Sequence, residues 1–490
     1  MGRELDRYRS ADELIEILGD WATAAGPLYR RLVTAVAGAI TSGALGAGER
    51  LPSERDLART LVISRATVTA AYDELRARGL VTSLRGSGTR VAAGPPGPPP
   101  GTDGRVPGGR ATSIFQRFVD GPGEVISLAH AIEGPVPDLR QALLDLVRDD
   151  LPHLTADAGY HPRGLPALRE AIAAHLTGLG LPTAPDQVLV TAGASQAIGL
   201  VTRMHLRERS DVVVESPGWP GCFDVFRAAG ARLHGVRLDE EGARADEIER
   251  AFTERRPSLL FVMPTYHNPT GVLMSAARRS RIARLAERHG VPVLEDNAYT
   301  GLTGEVPPPI AAYGRPGAEI LTAGSLAKAV WGGLRIGWIR ASAETTERLA
   351  RHKALADLGS PVLDQALAAR FLPRLPELEA RRSATARRRL DHLTGLLRER
   401  FPTWRWTPPQ GGAALWIELP GIDARSFAHV ALRHGVEIVP GAAMDPGGHH
   451  DDHIRLPFTF PTETLTELVT RLSGAWTELQ RSAARPSLIL

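Results

Sequence analysis

From Gly94 to Arg110 the sequence reads GPPGPPPGTDGRVPGGR. Proline has no backbone N–H and glycine loses the most entropy on ordering, so such a run builds neither a helix nor an interior strand. The chain therefore divides into two folding units joined by a linker at residues 93–111. That linker reaches roughly 25 Å as a coil and about 50 Å as extended polyproline II, enough to let its two flanks reorient.

The chain has 490 residues, 43% of them hydrophobic, which is sufficient for substantial cores on both sides of the linker. Cys222 is the only cysteine, which excludes an intramolecular disulfide and any zinc centre built from several thiolates. No metal site is expected. The N-terminus has no apolar signal core and no run of about eighteen apolar residues occurs, so a protein without membrane association, in the cytoplasm and at the nucleoid, is expected.

Residues 1–26 read as an N-terminal extension. Between 27 and 92, three stretches have helical spacing: PLYRRLVTAVAGAITSG, then PSERDLARTLV and ISRATVTAAYDELRARG, with Ser53 and Ser64 as N-caps. LVTSLRGSGTRV follows as two short strands around Arg85-Gly86-Ser87-Gly88-Thr89. Three helices and a β-wing describe a winged helix-turn-helix. The net charge of the whole chain is only +3. Residues 27–92, however, hold ten arginines against five acids, a local excess of +5, which suits a DNA phosphate surface.

After the linker, β-branched runs such as QVLV, DVVVE, SLLFVM, VPVLED and AEILTA alternate with helical patterns. This predicts an α/β domain around a mostly parallel sheet flanked by helices. Ligands in such sheets gather beyond the carboxyl ends of the strands. Those ends carry TAGASQ, SPGWPG, PTYHNPTG, DNAY and GSLAK.

Lysine usage sharpens the chemistry. Of 58 Lys plus Arg residues, only Lys328 and Lys353 are lysines. Arginine can replace lysine wherever a fixed positive charge suffices, but its guanidinium stays protonated and does not condense with a carbonyl. A Schiff base is one task left to lysine. Around Lys328 in GSLAKAVWGGLRIGW, the other parts of a pyridoxal phosphate site can be found. Ala194, Ser195 and Gln196 open a helix and offer N–H groups to a phosphate. Ser325 and Arg335 can bind the same anion, and Trp219 offers a ring face. Asp296 ends an apolar strand, where a carboxylate is costly unless it meets a cation such as a pyridinium. Asn268 and Tyr299 can donate to a phenolate.

Two resemblances organise these readings. LPSERDLA, SRATV and the G-S-G-T wing make residues 27–92 resemble the GntR-type DNA-binding domain. That likeness implies that Glu54, Arg55, Arg65, Thr67, Arg85, Ser87 and Gly88 lie at the surface for double-stranded DNA. Over residues 112–480 the motifs YHPRGLPALREAIAAHL, TAGASQA, HNPTG, EDNAY, SLAK, GGLRIGW and HIRLPF occur in the order found in fold-type I aminotransferases. This second likeness implies a PLP-binding effector and dimerisation domain with a smaller C-terminal α+β subdomain. It implies Lys328 as Schiff-base lysine and gives Asp296, Asn268, Tyr299, Ser195, Ser325, Arg335 and Trp219 the roles above. It further implies Arg455 as a carboxylate anchor, and Tyr160 as a phosphate contact in the neighbouring subunit of a dimer.

The combination resembles the MocR family of transcription regulators. It implies a PLP-dependent, DNA-binding, head-to-tail homodimer that senses an amine, an amino acid or pyridoxal phosphate. Many such regulators have Gln where this chain has Asn268, and E-D-D-Y where it has Glu295-Asp296-Asn297-Ala298-Tyr299. A working transaminase carrying a DNA-binding domain is therefore the alternative expectation.

Overall fold

The computed structural model describes residues 8–19, 21–22, 26–84, 88–92, 125–131, 133–299, 306–315 and 317–483. The linker at 93–111 and the wing tip Arg85, Gly86 and Ser87 lie outside the described residues.

The first unit is built from helices α1 (Ala11–Leu18), α2 (Leu28–Thr41), α3 (Glu54–Leu61) and α4 (Arg65–Ala77), followed by strands β1 (Val81–Leu84) and β2 (Gly88–Val91). Ser53 and Ser64 cap as the sequence indicates, accepting from the N–H groups of Asp56 and Thr67. The two strands pair antiparallel with Val81 opposite Val91. The stretch treated as an extension folds with this unit. Ser10 and Glu13 form a capping box that starts α1, and Leu14, Leu18 and Trp21 share one core with Leu32, Leu57, Tyr72 and Leu75.

A short strand, β3 (Ile126–Ser127), leads into the second unit. Its main sheet contains β4 (Val188–Thr191), β5 (Asp211–Ser216), β6 (Arg232–Asp239), β7 (Gly242–Ala243), β8 (Leu259–Val262), β9 (Val293–Asp296), β10 (Ile320–Ser325) and β11 (Gly337–Arg340), in the spatial order β4-β11-β10-β9-β8-β5-β6-β7. The pairs from β10 across to β6 are parallel, and β11 and β7 run against their neighbours. Val212, Val213 and Val214 are fully buried in succession, as a parallel strand covered by helices on both faces requires. One face packs under the Ala194–His205 and Pro220–Ala228 helices, the other under Ala245–Arg255 and Ala276–His289.

The chain closes with an antiparallel subdomain of β12 (Arg405–Trp406), β13 (Ala414–Glu418), β15 (Val439–Pro440) and β16 (His453–Pro457), ordered β12-β13-β16-β15. The intervening β14 (Val436–Glu437) pairs parallel with β3. This sheet packs on the Leu375–Arg400, Ala424–Arg433 and Thr462–Ala483 helices. Among the described residues no helix is long and apolar enough to cross a membrane.

Because Leu14 is fully buried in the DNA-binding core, Leu14→Ala should destabilise that unit by about 2–5 kcal/mol. Urea unfolding of the full chain measures this. A change below about 0.5 kcal/mol, the usual size for surface positions, would show that α1 is not part of the unit.

Candidate functional site

The ends of β9 and β10, the segment after β3 and the antiparallel subdomain meet around Lys328. The alternation of side chains along β9 decides the first element: Glu295 and Asp296 are adjacent, so they take opposite faces. Glu295 accepts from the N–H groups of Ile310 (2.7 Å) and Ala311 (3.1 Å) and from Thr322 Oγ1 (2.7 Å), a structural role. Asp296 is 3% exposed on the other face and accepts from the Ala298 N–H. Burial pushes its carboxyl up to about 6, against the pull of that N–H and of Lys328.

The Lys328 amine donates to the Ala131 carbonyl at 2.7 Å and lies 5.2 Å from the centre of the Tyr299 ring. Desolvation, with help from the charge of Arg455, pushes it down to about 8; Asp296 and Glu133 oppose this. Asn268 Nδ2 donates to Tyr299 Oη at 3.1 Å, so the two expected phenolate donors already meet. Trp219 starts the Pro220–Ala228 helix, half-buried, and its carbonyl accepts from Cys222 Sγ.

The anion-binding end is at Gly193, whose φ of 95° suits glycine. Ala194, Ser195 and Gln196 form the first turn of the helix that follows, where backbone N–H groups lack helical acceptors. The Arg335 guanidinium lies against Gly193 and donates to the Ala192 carbonyl at 2.6 Å. Ser325 ends β10, its hydroxyl accepting from the Ala327 N–H. The Gln196 side chain turns elsewhere: it receives the Ala192 N–H and donates to Asp357. Asp357 also accepts from Lys353, which is fully buried. The second lysine is thus a structural ion-pair partner.

Arg455 stands in the middle of β16, opposite Trp416 on one side and Val439 on the other. It is 5% exposed, donates from Nη1 to the Ala129 carbonyl at 3.2 Å, and has a buried Nε without a hydrogen-bond partner. Desolvation holds its pKa below the ordinary arginine value. It lines one crevice with His267, Asn268 and Tyr299. A buried guanidinium with an unused donor is suited to a small carboxylate. Tyr160 is not in this crevice; it is 69% exposed.

Sequence reasoning missed three supports. The segment after β3 supplies the Ala129 and Ala131 carbonyls. Glu133 of that segment pairs with Arg382 at 2.6 Å, and Arg382 also binds the Val330 carbonyl, which fixes the segment beside Lys328. Beneath the HNPTG loop, Glu215 accepts from the Met263 N–H and lies 3.4 Å from His267 Nε2, while His267 Nδ1 meets Thr270. Burial pushes Glu215 up to about 8 and His267 down to about 3. A carboxylate inside the apolar run DVVVE was the available signal, by the argument that singled out Asp296.

In the first unit, Arg65 begins the second helix of the turn motif with its side chain 71% exposed, 3.4 Å from Glu54. Glu54 also accepts from Thr69 at 2.8 Å, so it orients Arg65. Arg55 is exposed, and the Thr67 hydroxyl is hydrogen-bonded to Ser64. Gly88 opens β2 at a φ of 79°, exposed.

Residues 129–472 match the family described as aminotransferase class I and II, and residues 28–91 match the gntR family of bacterial regulatory proteins. The HTH-type transcriptional regulator YisV of Bacillus subtilis is 31% identical over 472 residues, 92% of this chain and 95% of that one. The probable rhizopine catabolism regulatory protein MocR of Rhizobium meliloti is 30% identical over 325 residues, 64% of this chain and 65% of that one. The chain belongs to the MocR-type transcription regulators. Among solved structures, LysN, the alpha-aminoadipate aminotransferase of Thermus thermophilus, matches with a TM-score of 0.69 at 28% identity, over 77% of this chain and 97% of that one. That structure holds a phosphopyridoxyl-leucine adduct. Pyridoxal phosphate is the cofactor of this MocR-type regulator, and the open helix start at Gly193, the buried Asp296 and the desolvated Lys328 amine fit it.

Lys328→Ala should abolish covalent retention of pyridoxal phosphate after borohydride reduction while leaving the fold intact; label on the buried Lys353 would refute the assignment. In wild-type apo protein, capture should accelerate with pH and level off above about 8, where the Lys328 amine is free. A plateau displaced to the ordinary lysine range would contradict the desolvated amine.

Proposed function

We propose that the second unit is a receptor for a small molecule carrying both an amine and a carboxylate, and that its occupancy sets the DNA affinity of the first unit. The single observation that carries this reading is the placement of two desolvated cations beside Tyr299: the Lys328 amine lies 5.2 Å from the centre of its ring, and the Arg455 guanidinium lines a crevice with it. Bound pyridoxal phosphate supplies an aldehyde carbon for amine exchange and a ring that accepts electrons. Around it, Ser195, Ser325, Arg335 and the first-turn N–H groups of Ala194 and Gln196 would hold the phosphate. Asp296 would face the ring nitrogen, Asn268 and Tyr299 the phenolic oxygen, and Trp219 the ring. Arg455 would hold the ligand carboxylate.

At the DNA surface, Arg65 is the base- or phosphate-reading side chain, oriented by Glu54, with Arg55 beside it. Arg85 and Ser87 would extend the contact through the wing.

Arg65→Ala should weaken operator binding by roughly 1–3 kcal/mol if it reads a base and leave amine-induced changes in the cofactor spectrum intact. Arg455→Gln should do the reverse, removing the response of operator affinity to amines. The coupling expected in wild type is about 1–3 kcal/mol, or roughly 5–150-fold in affinity. Titration of a labelled promoter fragment across a panel of amino acids and amines measures both. Because Asn268, Asp296 and Tyr299 form a complete set, transaminase turnover is the second reading. Rapid turnover with a keto acid, together with operator affinity indifferent to every amine, would favour it and end the sensor reading.

The receptor is further proposed to be a homodimer. Leu143, Leu144 and Val147 on the Leu139–Asp149 helix, Leu363 on the neighbouring Val362–Phe371 helix, Leu358 and Tyr160 are all exposed large hydrophobic residues. An apolar face of this kind marks an interface, and in the dimer Tyr160 would reach the partner's phosphate site. Leu144→Asp should shift the protein toward monomer in sedimentation velocity; an unchanged dimer would place the interface elsewhere.

A further inference from the structure

The ion pair of the second lysine is placed where a helix gains least from it. Lys353 stands four residues before Asp357 on the Ala343–Asp357 helix, is fully buried, and donates from Nζ to both carboxylate oxygens at 2.7 Å. A carboxylate in the last turn opposes the helix dipole, and at this spacing an acid before a base is better than the reverse. A local rule broken without local gain points to a partner elsewhere in the fold.

That partner is the loop leaving β4. Asp357 Oδ2 accepts from Gln196 Nε2 at 2.7 Å, and Gln196 Oε1 accepts from the Ala192 N–H at 2.8 Å. The Ala192 carbonyl accepts from Arg335 Nη2 at 2.6 Å. Both backbone polar groups of the residue before Gly193 are thus taken, one by the Gln196 amide and the other by the arginine that lies against Gly193. Burial would raise the Asp357 carboxyl, yet hydrogen bonds from Lys353, Gln196 and the Gly359 N–H hold it below the usual carboxylate value. The Gly359 N–H reaches Asp357 Oδ1 at 3.0 Å, and a Cβ at Gly359 would stand 2.9 Å from the His161 carbonyl oxygen, so the turn is closed on that side as well.

We infer that Lys353 and Asp357 are positioning residues for the cofactor phosphate: a strut that acts through the Gln196 side chain to fix the Ala192–Gly193 backbone, and with it the Arg335 guanidinium and the first-turn N–H groups. The inference rests on the reading that this cradle holds the phosphate. Gln196 then has two tasks, its N–H facing the anion and its side chain carrying the strut. The retention of a second lysine follows from the enclosure. Arginine would bring a wide planar fork into a slot that is sealed from solvent, whereas the compact head of lysine fits it.

The test compares pyridoxal phosphate with pyridoxal, which carries the same ring and aldehyde without the phosphate, by equilibrium dialysis against the full chain in its apo form. The ratio of the two affinities reports the phosphate cradle alone. Lys353→Met and Gln196→Leu should each lower that ratio by about tenfold, the worth of one hydrogen bond to a charged group, with pyridoxal affinity unchanged. Combining them should cost no more than Gln196→Leu alone, because both act along one path. Equal weakening of both ligands, or a lower melting temperature with the ratio unchanged, is what a merely structural ion pair predicts and would overturn the proposal. If Lys353→Met does not fold, Lys353→Met joined with Asp357→Asn, which leaves no unpaired charge, takes its place with the same expected loss. Arg335→Met tests the underlying reading. An unchanged ratio there ends the cradle assignment and the strut with it; a ratio lost there but kept in the Lys353 and Gln196 variants overturns the strut alone.

Discussion

Lys328 and Arg455 are both desolvated beside Tyr299, and the charge of Arg455 adds to the burial that lowers the Lys328 pKa, while Asp296 and Glu133 oppose it. An isolated lysine amine near pH 7 is almost wholly protonated and unreactive toward an aldehyde. Pushed down to about 8, the Lys328 amine presents on the order of a hundredfold more free base at that pH. Arg455 contributes to this shift and keeps a buried Nε without a hydrogen-bond partner. On the proposed reading, the same pair of charges prepares covalent chemistry at the lysine and recognition at the arginine.

The fold exists to bring these two charges together across long sequence separations. Lys328 follows β10 of the parallel sheet, whereas Arg455 comes from β16 of the separate antiparallel sheet. The segment after β3 closes the gap: its Ala131 and Ala129 carbonyls receive the lysine and the arginine respectively. Glu133 and Arg382 tie that segment to the residues just after Lys328. One strap thus touches both charges, and the subdomain that carries Arg455 also packs against the DNA-binding unit through Val62 and Leu432.

Much of this was legible because the chemistry demanded rare residue types in costly places. A proline-glycine run, a lysine among arginines and a carboxylate ending an apolar strand each have few physical explanations, and the strands QVLV, DVVVE, SLLFVM, VPVLED and AEILTA formed as their β-branched content indicated. What stayed hidden depended on tertiary neighbours. Nothing local distinguishes Gln196 as a backbone-and-Asp357 partner from a cofactor ligand, and residues 11–22 look like any amphipathic helix until Leu14 and Trp21 meet the core of the winged unit. Val62 reads as an ordinary apolar residue, because its conformation is set by a turn and its burial by a subdomain some 370 positions away.

The scarcity of lysine has an effect on the molecule's exterior. Lys353 is sealed inside an ion pair and Lys328 is half-buried beside Tyr299, and the protein's many other cationic side chains are arginines. Guanidinium groups hold their charge and do not condense with carbonyl compounds. A free aldehyde diffusing over this surface meets no lysine amine until it reaches Lys328. Loading is guided by omission as much as by attraction, and enzymes that acylate or methylate lysines find almost nothing on the outside through which to alter the charge presented to DNA.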